Sequence, residues 1–235
     1  MKRGIIISII LFSNLIVCAQ VRTVTIENGR AVNDTLFDKQ MFYLKDFVKS
    51  RITLTDGTMH TATANISTID QITYIIENGD TTRVLQEKDI AIFSGGGALI
   101  YKIDGTYHQL LETDGDISLM VAKVVKFEGE KLIGAYGGSS ETAAISKISD
   151  AHSALFTEGY YDRWKWGGDM IVEMKYEYKE YFYLISKGKR YIPTKKNFEK
   201  LFGKQKADIA KFLNNNEQQL SKNENIIRLF KHLVE

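Results

Sequence analysis

The chain has 235 residues, 31 Lys and Arg against 29 Asp and Glu, and a single cysteine. A net charge of +2 is far from the clustered basic surface that phosphate contacts demand, which argues against a nucleic-acid binder. One cysteine excludes an intrachain disulfide and a thiolate metal cluster.

The N-terminus carries the firmest reading. Lys2 and Arg3 precede the apolar run Ile5 to Leu11, which Leu15 to Val17 extends, and Val17-Cys18-Ala19 supplies a peptidase exit before Gln20. A basic start, an apolar stretch and a small-residue exit predict a secretory signal peptide over residues 1–19. The stretch is shorter than the roughly 20 apolar residues of a membrane-spanning helix, and no later segment is apolar enough to span. The mature chain is therefore expected to be exported and to be periplasmic, outer-membrane-associated or extracellular. Cleavage would remove Cys18 and two basic residues, leaving a thiol-free chain with 29 basic and 29 acidic residues. Leu15-Ile16-Val17-Cys18 also resembles a lipoprotein cleavage box, with Val17 where a small residue is usual. Cleavage there would make Cys18 a lipid anchor.

From Gln20 to Ile192 the chain reads as one antiparallel β-rich domain. Asn28-Gly29, Asp56-Gly57, Asn78-Gly79, Asp104-Gly105 and Asp114-Gly115 lie among β-type runs, and such pairs accept the positive φ angles of tight hairpin turns. Their spacing predicts a meandering sheet, open or rolled into a partial barrel. Gly95-Gly96-Gly97 opens no helix and has no following Lys-Ser/Thr, so it reads as a flexible or bulged turn rather than a phosphate cradle.

Residues 129–168, with Gly134 to Ser140 near their start, show no sustained period and are expected to form a long Gly/Ser-containing loop. Loops of this length are commonly functional. Tyr136 lies within it, and Tyr160, Tyr161, Arg163, Trp164 and Trp166 follow near its end. These six are the candidate ligand-binding residues, because exposed rings beside charges suit a sugar or a protein partner. The competing reading has the rings cap the open end of the sheet. Beyond them, Met170 to Tyr178 alternates with Glu173 to Lys179 as a half-buried strand. Tyr181 to Ile185 reads as the next strand, turned at Lys187-Gly188 into Arg190 to Ile192.

Residues 193–235 are expected to form three short helices packed on the sheet. Pro193, the only proline, marks the break, and Thr194 can cap Lys195 to Phe202. Lys204 to Leu213 follows, ended by Asn214-Asn215-Asn216 through a left-handed cap. Ser221 and Glu224 match a capping box before the last helix. Six lysines stand against two acids over 195–211, either a solvated face or a contact for anionic envelope surfaces.

Tyr181-Phe182-Tyr183-Leu184, Lys187-Gly188-Lys189, Lys195-Lys196-Asn197-Phe198, Leu201-Phe202, Ile209-Ala210-Lys211-Phe212 and Ile226-Ile227-Arg228-Leu229 resemble the C-terminal part of a group of exported proteins of the Bacteroidota. The Ala19-Gln20 junction, the Asn65 to Gly79 hairpin and Gly134-Ala135-Tyr136-Gly137 are similar to that group too. The resemblance implies an envelope or secreted location and no established activity, so it supplies no catalytic residues.

Catalytic signals are thin. His60, His108, His152 and His232 form no zinc motif, and Gly138-Ser139-Ser140-Glu141 lacks the closing glycine of a nucleophile elbow. No cofactor or metal motif is present. The expected architecture is thus α+β, an antiparallel meandering sheet or partial barrel followed by a helical cluster. The function it suggests is a non-catalytic exported module that binds an envelope protein, glycan or lipid. The alternative is an envelope hydrolase with a site near loop 129–168, whose least weak nucleus is Asp150 with His152.

Overall fold

The computed structural model describes residues 21–27, 30–83, 89–133, 171–214 and 219–235. The signal peptide with Cys18, the Asn28-Gly29 turn, most of the 129–168 loop and all six candidate ligand-binding residues lie outside them, as do Asp150 and His152.

Twelve strands form one antiparallel sheet. In chain order they are β1 (Arg22–Glu27), β2 (Arg30–Ala31), β3 (Val48–Leu54), β4 (Met59–Ile66), β5 (Thr73–Glu77), β6 (Asp80–Arg83), β7 (Ile90–Gly95), β8 (Ala98–Ile103), β9 (Thr106–Asp114), β10 (Ile117–Ile133), β11 (Ile171–Ser186) and β12 (Lys189–Tyr191). The order across the sheet is β2-β1-β11-β10-β9-β8-β7-β3-β4-β5-β6, with β12 also on β11. Among the described residues the end strands β2 and β6 do not pair, so the sheet is not closed. A short helix, α1 (Thr35–Gln40), follows β2. The C-terminus supplies α2 (Lys195–Leu201), a 3-10 turn (Gly203–Gln205), α3 (Lys206–Leu213) and α4 (Asn223–Val234). An antiparallel α+β architecture with C-terminal helices is what the turn and periodicity signals predict.

The hairpins follow local backbone chemistry. At Asn78-Gly79, Asp104-Gly105 and Lys187-Gly188 both central residues have positive φ, the tight turn whose twist matches the strands. Gly96-Gly97 makes the same turn, with φ of +58° and +76°. The glycine triplet is therefore an ordered tip, with Gly95 packed against Ser50 so closely that a Cβ would lie 2.1 Å from the Ser50 Oγ.

Three features depart from the sequence reading. β11 is one strand of 16 residues, since the apolar phase of Tyr176 and Tyr178 carries through Phe182 and Leu184 with Glu180 the single interruption. β10 runs on to Ile133, paired there with Ile171, so residues 129–133 are strand rather than loop. The capping box at Ser221 is not made: α4 begins after Lys222 without a side-chain cap. Asn214 is the C-cap of α3, at φ −71°, and Asn215-Asn216, which follow it in the expected left-handed cap, lie outside the described residues. By contrast, Thr194 caps α2 as expected, its hydroxyl accepting from the Asn197 amide at 3.3 Å.

One face of the sheet carries three apolar clusters. Phe37 and Met41 pack with Val24, Ile26, Ile69, Val125, Met174 and Tyr176. Tyr43 joins Ile52, Ala64, Ile66, Phe93, Ile100 and Tyr107 toward the far end. The helices bring Phe198, Phe202, Ile209, Ile226, Leu229, Phe230 and Leu233 against Leu119, Val121, Phe182 and Leu184. In α4 the buried Ile226, Leu229, Phe230 and Leu233 recur at the spacing of one helical stripe.

Candidate binding groove on the edge of β11

β10 covers one edge of β11 along its whole length, from Ile171 to Ser186. The other edge is shared. β1 pairs with Ile171 to Tyr176, and β12 with Leu184 to Ser186. Among the described residues no strand pairs with Glu177 to Tyr183 on that side. Chemistry explains why β12 stops. Its next residues are Ile192 and Pro193, and a proline has no N–H to donate to a ladder. Pro193 turns the chain into the Thr194 cap of α2.

A groove of about 590 Å³ lies along this gap, within the size range of ligand sites. Glu180, Tyr181, Phe182 and Tyr183 line one side, and Ile192, Pro193, Thr194, Lys195, Leu220, Asn223 and Ile226 the other. Four consecutive strand residues line it, although alternate side chains point to opposite faces. The groove is therefore open to the edge of β11 and not to one face. Ile192 stands at its rim, 66% exposed.

Glu180 of the groove wall also belongs to a polar knot on the β10 side of β11. Lys123 faces Glu180 across the β10–β11 ladder, in the same apolar phase as Val121 and Val125. This pair sits where the helical cluster gives way to the α1 cluster. The Lys123 ammonium donates to the Tyr43 carbonyl at 3.3 Å and lies over the Tyr43 ring. Burial lowers its pKa, against the opposing pull of Glu180. The Tyr178 hydroxyl donates to Glu180 at 2.9 Å, and burial, then the Glu180 charge, raises its pKa.

A second polar centre anchors α1. Asp34 is buried and accepts from the Leu36 amide at 2.9 Å, the Arg22 Nε at 2.8 Å and the Tyr176 hydroxyl at 2.8 Å. Burial pushes this carboxyl up, but the hydrogen bonds from Arg22, Tyr176 and Leu36 outweigh it and leave the pKa below the ordinary value. The arrangement is an N-cap tied to two strands.

The three described histidines do not converge. His108 is fully buried between strands, its Nδ1 against the Thr106 carbonyl at 2.9 Å and its ring 5.4 Å from that of Tyr183. His60 and His232 are exposed. Among the described residues no group of three or more His, Cys, Asp or Glu is placed to hold a metal ion, and no helix is long and apolar enough to cross a membrane.

The sequence pointed to the aromatic cluster, not to this groove. Two charged residues breaking the apolar phase of neighbouring strands, Lys123 and Glu180, were the available signal. The open edge itself depends on two non-local strand registers. Comparison with protein-family models, with curated proteins and with solved structures gives no match to the chain.

Proposed function

We propose that this is an exported, non-catalytic binding module whose ligand sits in the groove along the Glu177–Tyr183 edge of β11. The observation that carries this reading is the juxtaposition of an unpaired strand edge with a largely apolar groove that has an exposed isoleucine at its rim. Glu180, the one carboxylate on the groove wall, is engaged by the Tyr178 hydroxyl. That is how a recognition surface is held rigid, and it leaves neither group aimed at a reacting atom. The basic and apolar N-terminus and the resemblance to exported Bacteroidota proteins support an envelope location.

The test is affinity capture from native envelope extract with the tagged wild-type protein and with Ile192→Glu. Ile192 is largely exposed, so its replacement leaves the core intact while placing a charge on the rim. A component held by the wild type and lost in the variant supports the reading. Identical retention by both contradicts it.

A further inference from the structure

We propose that the groove takes an extended peptide segment of a partner protein, which adds to β11 as a strand between β1 and β12. This rests on the binding reading above and names its ligand class.

The ladder geometry fixes which groups are available. β11 and β12 are joined by the two-residue turn Lys187-Gly188, and Ser186 and Lys189 close it. The closing pair of such a hairpin exchanges hydrogen bonds, and bonded pairs then recur every second residue. Ser186 and Leu184 thus turn their N–H and C=O toward β12. β11 carries no bulge in its pairing with β10, where the one register shift lies at Phe127/Gly129 on β10. The same parity therefore holds along β11, and the N–H and C=O groups of Phe182, Glu180 and Tyr178 point into the gap. The ladder bonds of β1, β12 and β10 leave these groups unused.

The gap spans seven residues, Glu177 to Tyr183, or about 23 Å of strand at roughly 3.3 Å per residue. That suits a peptide strand bound through its main chain, with alternate side chains giving specificity. It is long for an exposed edge, which folded proteins usually blunt with bulges, short strands or proline. Here the proline lies on the facing wall, and Glu180 is the one core-facing charge along the gap. Side chains of an added strand on the core-facing side would meet Phe182, Leu220 and Ile226, so apolar residues are preferred there. Lys195 lies on the groove wall and α4 begins beside it at Asn223 without a side-chain cap. Lys195 is paired with Glu199 at 3.8 Å and Glu180 lines the facing wall, so recognition rests on the main chain and the apolar side chains.

The test selects linear random twelve-residue peptides on the full chain as exported by its cell, with counter-selection on Ile192→Glu. The peptide that emerges is resynthesised with and without N-methyl groups on alternate amides. The proposal predicts enrichment of alternating apolar sequences. Amide exchange at Tyr178, Glu180 and Phe182 should slow at least tenfold on binding, and N-methylation on the bonded side should weaken binding at least tenfold. Failure to enrich any peptide over Ile192→Glu overturns it, as do bound peptides that leave those three amides unchanged. Protection of the three amides before any peptide is added also overturns it, because a segment of the chain itself would then fill the edge. If the peptide arm fails while envelope capture still depends on Ile192, the binding reading stands and the peptide assignment falls. If neither depends on Ile192, both fall.

Discussion

Tyr107 and Lys123 stand opposite each other on β9 and β10, yet two inserted side chains, not a backbone ladder, join them. Direct pairing of these strands ends at Val121 and Gln109. At the next position the Tyr107 amide donates to the Gln71 carboxamide oxygen at 3.0 Å, and the Gln71 Nε2 donates to the Lys123 carbonyl at 3.0 Å. The Lys123 amide donates to the Tyr43 hydroxyl at 2.9 Å, which donates onward to the Tyr107 carbonyl. Gln71 adds a bond to the Thr68 carbonyl at 3.1 Å. Two loop residues thereby complete the ladder between diverging strands and tie the chain around Tyr43 and Gln71 to the core-facing side of the sheet. The same contacts fix Lys123, which faces Glu180 across the β10–β11 ladder.

Gln71 holds φ of +56°, a region costly for a residue with a Cβ. Gln71→Ala keeps that strain and orphans the Tyr107 N–H and the Lys123 C=O, for an expected loss of about 3 kcal/mol. Gln71→Gly removes the strain and should be about 1 kcal/mol more stable than Gln71→Ala. Urea unfolding of both variants checks the order. Equal midpoints would mean that the positive φ carries no cost.

Asp34 and Asp70 should respond to pH with opposite sign. The Asp34 pKa is below its ordinary value of 3.8, so its contribution is present above pH 3.8 and lost as pH falls through the lower folded value. Burial raises the Asp70 pKa, so ionised Asp70 opposes folding at neutral pH and the penalty fades as pH falls through its folded value. Its Oδ2 accepts from the Tyr74 hydroxyl at 2.8 Å. Asp34→Asn is expected to destabilise at pH 7 by about 2 kcal/mol. Asp70→Asn should be neutral or stabilising at pH 7 and should lose that advantage near pH 3. Denaturation midpoints across pH 3–7 distinguish the two.

His108 is buried, and burial holds its pKa below the ordinary 6.5. The unfolded chain takes up a proton near pH 6.5 while the folded chain resists, so stability falls as pH drops below that value. His108→Phe should flatten this part of the profile, measured as the midpoint difference between pH 7.5 and pH 5.5. An unchanged slope would exclude His108 as its source.

Gly95 lies against Ser50, which is 2% exposed. Gly95→Ala is expected to cost about 2 kcal/mol through overpacking. Adding Ser50→Gly should recover part of that loss, a coupling that a double-mutant cycle reads directly.

Much of the fold was legible because its determinants are local. Asn78-Gly79, Asp104-Gly105 and Lys187-Gly188 specify their turns within four residues, and Thr194 specifies its helix start through one hydroxyl. The alternation about Met174 and Tyr176 announced a strand. Non-local choices were not legible. Nothing near Val48–Leu54 shows that β3 lies beside β7, or near Arg22 that β1 lies beside β11. The bridging role of Gln71 is visible only when β9 and β10 diverge around it. Glu180 read as a break between two strands because a charge in an apolar phase imitates a turn. Its partners, Tyr178 two residues back and Lys123 across the β10–β11 ladder, make it a half-buried strand residue, and the Lys123 pairing is non-local. The gap in the β11 edge likewise follows from where two separate partners stop.

Whether β11 has an open edge between β1 and β12 is read by residue-resolved amide exchange on the free protein. The amides of Glu177, Lys179, Tyr181 and Tyr183, turned toward β10, should exchange slowly. Those of Tyr178, Glu180 and Phe182 should exchange at least tenfold faster. Uniformly slow exchange across all seven would contradict the open edge and remove the basis of the groove as a binding site.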